Sequence, residues 1–176
     1  MMSDNRIVIR EETPSDREAV KAVLFDAYGQ YENTLSRERW EQYKENIEAS
    51  AAGGPTKARL VAELDGEIVG SVFVFESSDT AYGYSGIDTP IIRLLAVSQK
   101  ARGFGVATEL IRASAKLSRG WGAQTLHLHT SDLMESAVRL YERLGFERAY
   151  DYDIQNGEIL VKSYRLQLKE AALLQA

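Results

Sequence analysis

The sequence contains no cysteine, so it offers no disulfide, no thiolate metal site and no cysteine nucleophile. Positive charge is not in excess: 21 Lys and Arg against 26 Asp and Glu leave a formal net charge of −5. That balance argues against a chain-wide electrostatic hold on nucleic acid or on an anionic membrane. Long apolar runs are missing as well. Ile91 to Val97 is among the longest, far below the ~20 residues that span a bilayer. The opening residues, Met1-Met2-Ser3-Asp4-Asn5-Arg6, have no apolar signal core, and a cytoplasmic location is expected. What is present is ordinary for a folded protein: 176 residues, 44% hydrophobic and 27% charged. A single domain spanning residues 1–176 is expected, long enough to bury roughly 70% of the surface of its unfolded form without staples.

Patterning supplies the element order. Ile7-Val8-Ile9 reads as a strand, and Thr13-Pro14 opens a helix whose apolar residues (Val20, Val23, Leu24, Ala27, Tyr28) recur at helical spacing up to Gly29. A second helix is predicted from Ser36 to about Ala52, stopped by Gly53-Gly54-Pro55. Arg59–Leu64 and Glu67–Phe75 flank Asp65-Gly66, a hairpin signal. Residues 77–89 read as an irregular loop, and Ile91–Val97 as a buried strand. A helix is predicted over 103–119 with Val106, Leu110, Ala113, Leu117 and Trp121 on one stripe, followed by a strand over Thr125–His129. Asp132 and Glu135 form a capping box for a helix that turns Met134, Ala137, Val138, Tyr141 and Leu144 inward, and Gly145 stops it. Phe146–Gln155 and Glu158–Leu168 make a last hairpin about Asn156-Gly157. The order β-α-α-β-β-β-α-β-α-β-β mixes one right-handed parallel crossover with antiparallel hairpins, giving an α/β fold with a central mixed sheet flanked by helices.

Chemistry concentrates where the buried strand leads through Ser98-Gln99-Lys100-Ala101-Arg102-Gly103-Phe104-Gly105 into a helix. Helix starts present unpaired N–H groups and the positive end of the dipole, and glycines permit close approach to the backbone. An anion cradle is the physical reading; a tight strand-to-helix turn is the plainer one. A P-loop would need Lys-Ser or Lys-Thr after its second glycine, and neither is present. A dinucleotide fold would need a third glycine where Thr108 stands.

The stretch Arg102-Gly103-Phe104-Gly105-Val106-Ala107 resembles the Q/R-x-x-G-x-G/A signature of the GNAT superfamily of acyl-CoA-dependent N-acyltransferases. Downstream, Ala137-Val138-Arg139-Leu140-Tyr141-Glu142-Arg143-Leu144-Gly145-Phe146 is similar to that family's A-x-x-L-Y-x-x-x-G-F helix and strand. The element order agrees from Ile7 to Leu168. The resemblance implies a GNAT-like fold and transfer of an acetyl group from acetyl-CoA to a primary amine, without a metal. It also implies that the strand before the glycines splays from its parallel neighbour. Backbone groups of Leu95, Ala96 and Val97 would then pair with the pantetheine arm. The amides of Arg102, Gly103, Phe104, Gly105, Val106, Ala107 and Thr108 would hold the pyrophosphate, and Tyr141 would protonate the leaving thiolate. Family habit adds a homodimer. Direct transfer is chemically coherent, since a fixed N–H can stabilise the oxyanion and a phenol can protonate a departing thiolate.

Two positions depart from the family. Met134 stands where many members carry a cofactor-contacting Asn, and Ile91 where some carry a glutamate base. The general base is therefore open between Asp88 and the pair His127 and His129, whose plainer role is a hydrogen-bonded polar face. The departures also leave room for a non-catalytic acyl-CoA-binding sensor or regulatory module. Tyr28, Tyr31, Trp40 and Tyr43 could line an acceptor pocket or belong to the core, and residues 78–89, with Tyr82 and Tyr84, could form a flap. The acidic groups Glu11-Glu12, Glu45 with Glu48, and Asp151 with Asp153 read as solvated faces.

Overall fold

The computed structural model describes residues 6–83, 85–130, 135–156, 159–169 and 171–175. The elements are β1 (Ile7–Glu11), α1 (Arg17–Gly29), α2 (Arg37–Ala52), β2 (Ala58–Leu64), β3 (Glu67–Phe75), α3 (Ser78–Tyr82), β4 (Ile91–Val97), α4 (Val106–Gly120), β5 (Thr125–Thr130), α5 (Glu135–Arg143), β6 (Glu147–Arg148), β7 (Ile154–Asn156) and β8 (Ile159–Gln167). The strands form an eight-stranded mixed sheet in the order β1-β2-β3-β4-β5-β8-β6, with β7 also paired to β8. β4 and β5 run parallel, in register at Ile91 with His127 and Ile92 with Leu128. β1 pairs antiparallel with β2, and β8 pairs antiparallel with β5, β6 and β7. The mixed α/β sheet expected from the patterning is the one that forms.

By its contacts the chain divides into two compact units. One runs up to Phe73 and resumes over Leu94–Leu110; its core includes Val20, Leu24, Ile47, Val61, Phe73 and Leu110. The other comprises Val74–Arg93 and the chain from Ile111, and buries Ile91, Ile111, Leu126, Leu128 and Leu166.

Local chemistry explains the element ends. Thr13 and Pro14 open a turn of 3-10 helix (Pro14–Asp16) rather than α1 itself. The Asp16 carboxylate accepts from the Thr13 amide at 2.7 Å and from the Arg10 guanidinium. Ser36 caps α2 by accepting from the Arg39 amide at 3.2 Å.

Four further boundaries differ from the sequence reading, each for a local reason. Residues 77–89 hold a short helix, α3, because Ser77 and Thr80 cap it reciprocally. α4 begins at Val106 instead of Gly103, since φ is 88° at Gly103 and 84° at Gly105, left-handed values that no α-helix contains. Its buried face is Val106, Leu110, Ile111, Ser114, Ala115 and Ser118, leaving Trp121 exposed. Ser118 joins that face because its hydroxyl donates back to the Ser114 carbonyl at 2.8 Å. The strand expected over 146–155 is broken by a 3-10 turn at Tyr150–Tyr152. In the final hairpin Asn156 pairs with Ile159 instead of standing in the turn, and the expected turn residue Gly157 lies outside the described residues.

Candidate active site

β4 is the strand that leads into the glycines, and it is not regular. Leu94 has φ 52°, a left-handed conformation that costs a branched residue energy. The two-residue alternation of a regular strand is therefore interrupted across Ile91–Val97. Ile91 and Ile92 are both buried, Leu95 and Val97 are half-buried, and Ala96 is buried. The Leu95 carbonyl accepts from the Tyr28 hydroxyl at 3.1 Å. Tyr28 in turn stacks on Tyr43 with ring centroids 6.0 Å apart. After Val97, the Ser98 amide donates to the Val69 carbonyl at 2.8 Å.

A 3-10 turn at Gln99–Ala101 then closes with the Arg102 amide donating to the Gln99 carbonyl at 3.3 Å. The first amide of α4 to reach back is that of Glu109, to the Gly105 carbonyl at 3.1 Å. Between them, the amides from Gly103 through Thr108 have no acceptor among the described residues. A run of unsatisfied donors with two left-handed glycines is the concave arrangement that binds anions. A Cβ placed on Gly103 or on Gly105 would meet nothing within 4 Å, so the space over both is open. Phe104 stands between them, 44% exposed. Of the two cations in this turn, Lys100 is paired with Glu67, whereas Arg102 donates to the neutral Gln30 amide oxygen at 3.0 Å and keeps its charge. Tyr31, half-buried, has its phenol pKa raised by that burial, against the opposing pull of Arg102.

Tyr141 occupies the last turn of α5 and is 8% exposed. Its carbonyl accepts from the Phe146 amide at 3.0 Å while the Gly145 amide donates to the Glu142 carbonyl at 3.1 Å, the two bonds of a Schellman closure with Gly145 at φ 103°. The rings of Tyr141 and Phe146 lie 5.9 Å apart. Ala137 and Val138 of the same helix are half-buried. Met134, Asp132 and Tyr84, also singled out above, lie outside the described residues.

The three candidate bases differ. Asp88 is exposed on the segment before β4. His127 is buried. The Thr125 hydroxyl donates to Thr89 at 3.0 Å, so it accepts from His127 Nε2 at 3.3 Å, and His127 Nδ1 has no partner among the described residues. Burial, then the positive charge of Arg165, lowers the His127 pKa to about 4. His129 is half-buried, and its Nδ1 lies 2.7 Å from the Ser163 hydroxyl. Burial, with His127 and Arg93 acting against the opposing Asp153, lowers its pKa to about 4 as well. Both rings are neutral at pH 7.

Several of the other residues singled out prove structural. Trp40 is buried in the core. Glu12 is no solvated carboxylate, since Arg59 holds it at 2.6 Å, and Asp153 is paired with Arg148. Glu48, by contrast, is exposed and pairs with Lys21 at 2.8 Å, in keeping with a solvated face. Patterning missed Arg93, which anchors α3 by donating to the Ala81 carbonyl at 2.8 Å and lies 4.4 Å over the Tyr82 ring. It also missed Ser163 and Gly70.

The acetyltransferase (GNAT) family model matches residues 18–146. Mouse N-acetyltransferase 8F1 is 30% identical over 126 residues, 67% of this chain and 55% of that protein. The N-alpha-acetyltransferase 30 of Schizosaccharomyces pombe is 42% identical over 64 residues, 35% of this chain and 43% of that protein. The matches thus cover about half the length of these relatives. A solved GNAT-family structure from Desulfovibrio desulfuricans superposes with a TM-score of 0.68 at 18% identity, covering 93% of this chain and 99% of that one. A GNAT acetyltransferase from Brucella melitensis, solved in complex with acetyl-CoA, gives 0.61 at 22% identity over 93% and 88% of the two chains. These likenesses establish the fold, and the family model, spanning well over half of the sequence, establishes that this chain belongs to the acetyltransferase (GNAT) family.

Proposed function

We propose that the protein transfers an acetyl group from acetyl-CoA directly to a primary amine. The observation that carries this reading is the run of unpartnered amides from Gly103 through Thr108, opened by two left-handed glycines and overlooked by Arg102. A diphosphate needs several fixed donors and room for close approach, and both are present. The named activity of the relatives and the acetyl-CoA held by the Brucella melitensis protein favour that ligand over another phosphate.

In this reading Leu95, Ala96 and Val97 offer backbone groups to the pantetheine amides. The Leu95 carbonyl already serves Tyr28, which keeps that stretch of β4 in place. The Tyr141 hydroxyl supplies the proton to the departing thiolate, a task suited to a phenol. The cytoplasm is the compartment we infer, in keeping with a chain that carries no cysteine to oxidise.

The test is free thiol release from acetyl-CoA across a panel of small amines, aminoglycosides, amino acids and peptide N-termini. At least one acceptor should raise thiol release well above hydrolysis. A chain stabilised by acetyl-CoA but silent with every acceptor would instead be an acyl-CoA-binding module without turnover.

A further inference from the structure

The turn that leads to the open amides is held from outside by the end of α1. The Asp26 carboxylate accepts from the Gln99 amide at 2.8 Å, and Gln99 Nε2 donates back to the Asp26 carbonyl at 3.0 Å. One turn further along, Gln30 stands just past the last residue of α1. Its Nε2 donates to the Ala27 carbonyl at 2.7 Å, at a helix end where carbonyls lack intrahelical partners. A carbonyl can only accept, so this bond fixes which way round the Gln30 amide lies. Oε1 is left for Arg102, whose Nη1 donates to it at 3.0 Å.

A neutral partner has a consequence for a cation beside an anion site. Glu67 cancels the charge of Lys100, whereas Gln30 orients Arg102 and cancels nothing. Gln30 also engages only Nη1. The Nε and Nη2 groups of Arg102 have no partner among the described residues. Together they form the guanidinium edge whose two parallel N–H bonds match two oxygens of one phosphate.

We propose that Gln30 is a positioning residue for the diphosphate of acetyl-CoA, holding Arg102 so that its Nε–Nη2 edge receives phosphate oxygens beside the amides of Gly103 through Thr108. The inference rests on the acetyl-CoA reading above and extends that site from the glycine turn to α1. Gln30 and Arg102 are both exposed, so water weakens their contact in the free protein. A bound diphosphate covers the pair and strengthens it. Without Gln30 the long arginine side chain has to be ordered as the ligand binds, at a cost in affinity.

Isothermal titration of the full chain with acetyl-CoA, on Gln30→Ala, Arg102→Ala and the double variant, tests whether one residue acts through the other. Gln30→Ala should weaken binding about fivefold and Arg102→Ala about 20-fold. The double variant should bind no more weakly than Arg102→Ala alone, because Gln30 then has nothing left to orient. Gln30→Glu supplies a carboxylate that cancels the guanidinium charge. It should bind more weakly than Gln30→Ala at low salt and lose less affinity as salt is raised. The losses should persist with 3′-dephospho-CoA, which keeps the diphosphate and lacks the other phosphate. Wild-type affinity in Gln30→Ala overturns the assignment. So does a further fivefold loss on adding Gln30→Ala to Arg102→Ala, the result that a purely structural Gln30 would give. Losses that vanish with 3′-dephospho-CoA place the guanidinium on the 3′-phosphate and overturn it equally. Wild-type protein that binds no acetyl-CoA overturns the cosubstrate reading itself, before any variant is made.

Discussion

Gly70 of β3 lies directly against Val106, the first residue of α4. A methyl group at Gly70 would stand 2.8 Å from Val106 Cγ1, 3.0 Å from Leu110 Cδ1 and 3.2 Å from the Ala96 carbonyl oxygen. A side chain is therefore excluded where Gly70 of β3 meets Ala96 of β4 and the start of α4. The absence of a Cβ lets the helix sit down on the strands, and the preceding turn, with its unpartnered amides, is positioned by that contact.

Gly70→Ala should accordingly cost about 1–3 kcal/mol, the usual penalty for overpacking a filled site. Urea unfolding reads it as a lower midpoint. The same displacement moves the first turn of α4, so the thermal shift produced by acetyl-CoA should shrink as well. An alanine variant with the parent's midpoint and the parent's shift would show that the contact relaxes at no cost.

At Gly105 the space is open but the backbone is left-handed. Gly105→Ala thus introduces conformational strain of about 1 kcal/mol without a clash. Gly105→Asp adds a carboxylate among the amides that would receive the pyrophosphate. The expected order of acetyl-CoA affinity is wild type, then alanine, then aspartate, with the aspartate variant weaker by tenfold or more because like charges meet at short range. Isothermal titration distinguishes the outcomes: equal affinity for Ala and Asp would place the phosphates elsewhere.

Much of this architecture was legible because local signals agreed with tertiary ones. Asp65-Gly66 between two apolar runs, Ser36 before a helical period and Gly145 after one each specify a turn or an end by their own chemistry. The glycine turn with its open amides was legible for the same reason. What escaped depends on contacts distant in sequence. A glycine inside the apolar run Glu67–Phe75 marks a close approach, yet nothing local identifies Val106 as the neighbour. The left-handed Leu94 has no signature at all, since leucine is a poor residue for that conformation, and only the surrounding sheet can hold it there. The Ser163 hydroxyl finds its partners at Tyr152 and His129, 11 and 34 residues away. Arg102 was expected to begin the run of open amides, but a 3-10 turn satisfies its N–H, a detail of loop geometry that composition does not encode.

Acid sensitivity follows from Asp16. The Arg10 guanidinium, then the Thr13 amide, holds its carboxyl well below the usual carboxylate range. A depressed folded-state pKa contributes stability that is fully present above the unfolded value of about 3.9 and is lost as pH falls toward the folded value. Asp16→Asn should therefore lower the urea midpoint at pH 7. The gap between variant and wild type should narrow as pH drops below about 4, where the wild-type carboxylate begins to lose its advantage. A gap that stays constant from pH 7 to pH 3 would assign the effect to packing and not to charge.

Tyr141→Phe separates chemistry from binding. The ring's place is set by the Schellman closure at Gly145 and by packing on Phe146, and phenylalanine preserves both. Only the hydroxyl is removed. If that group protonates the thiolate as it leaves, kcat should fall by about 100-fold while the acetyl-CoA KM changes little, because the lost interaction belongs to the transition state and not to the bound ground state. The deficit should also lessen with an acyl donor whose thiol is more acidic, since a better leaving group has less need of a proton. A variant that keeps the parent's kcat with acetyl-CoA would remove Tyr141 from the chemical step, and its burial at the end of α5 would then be sufficient reason for its presence.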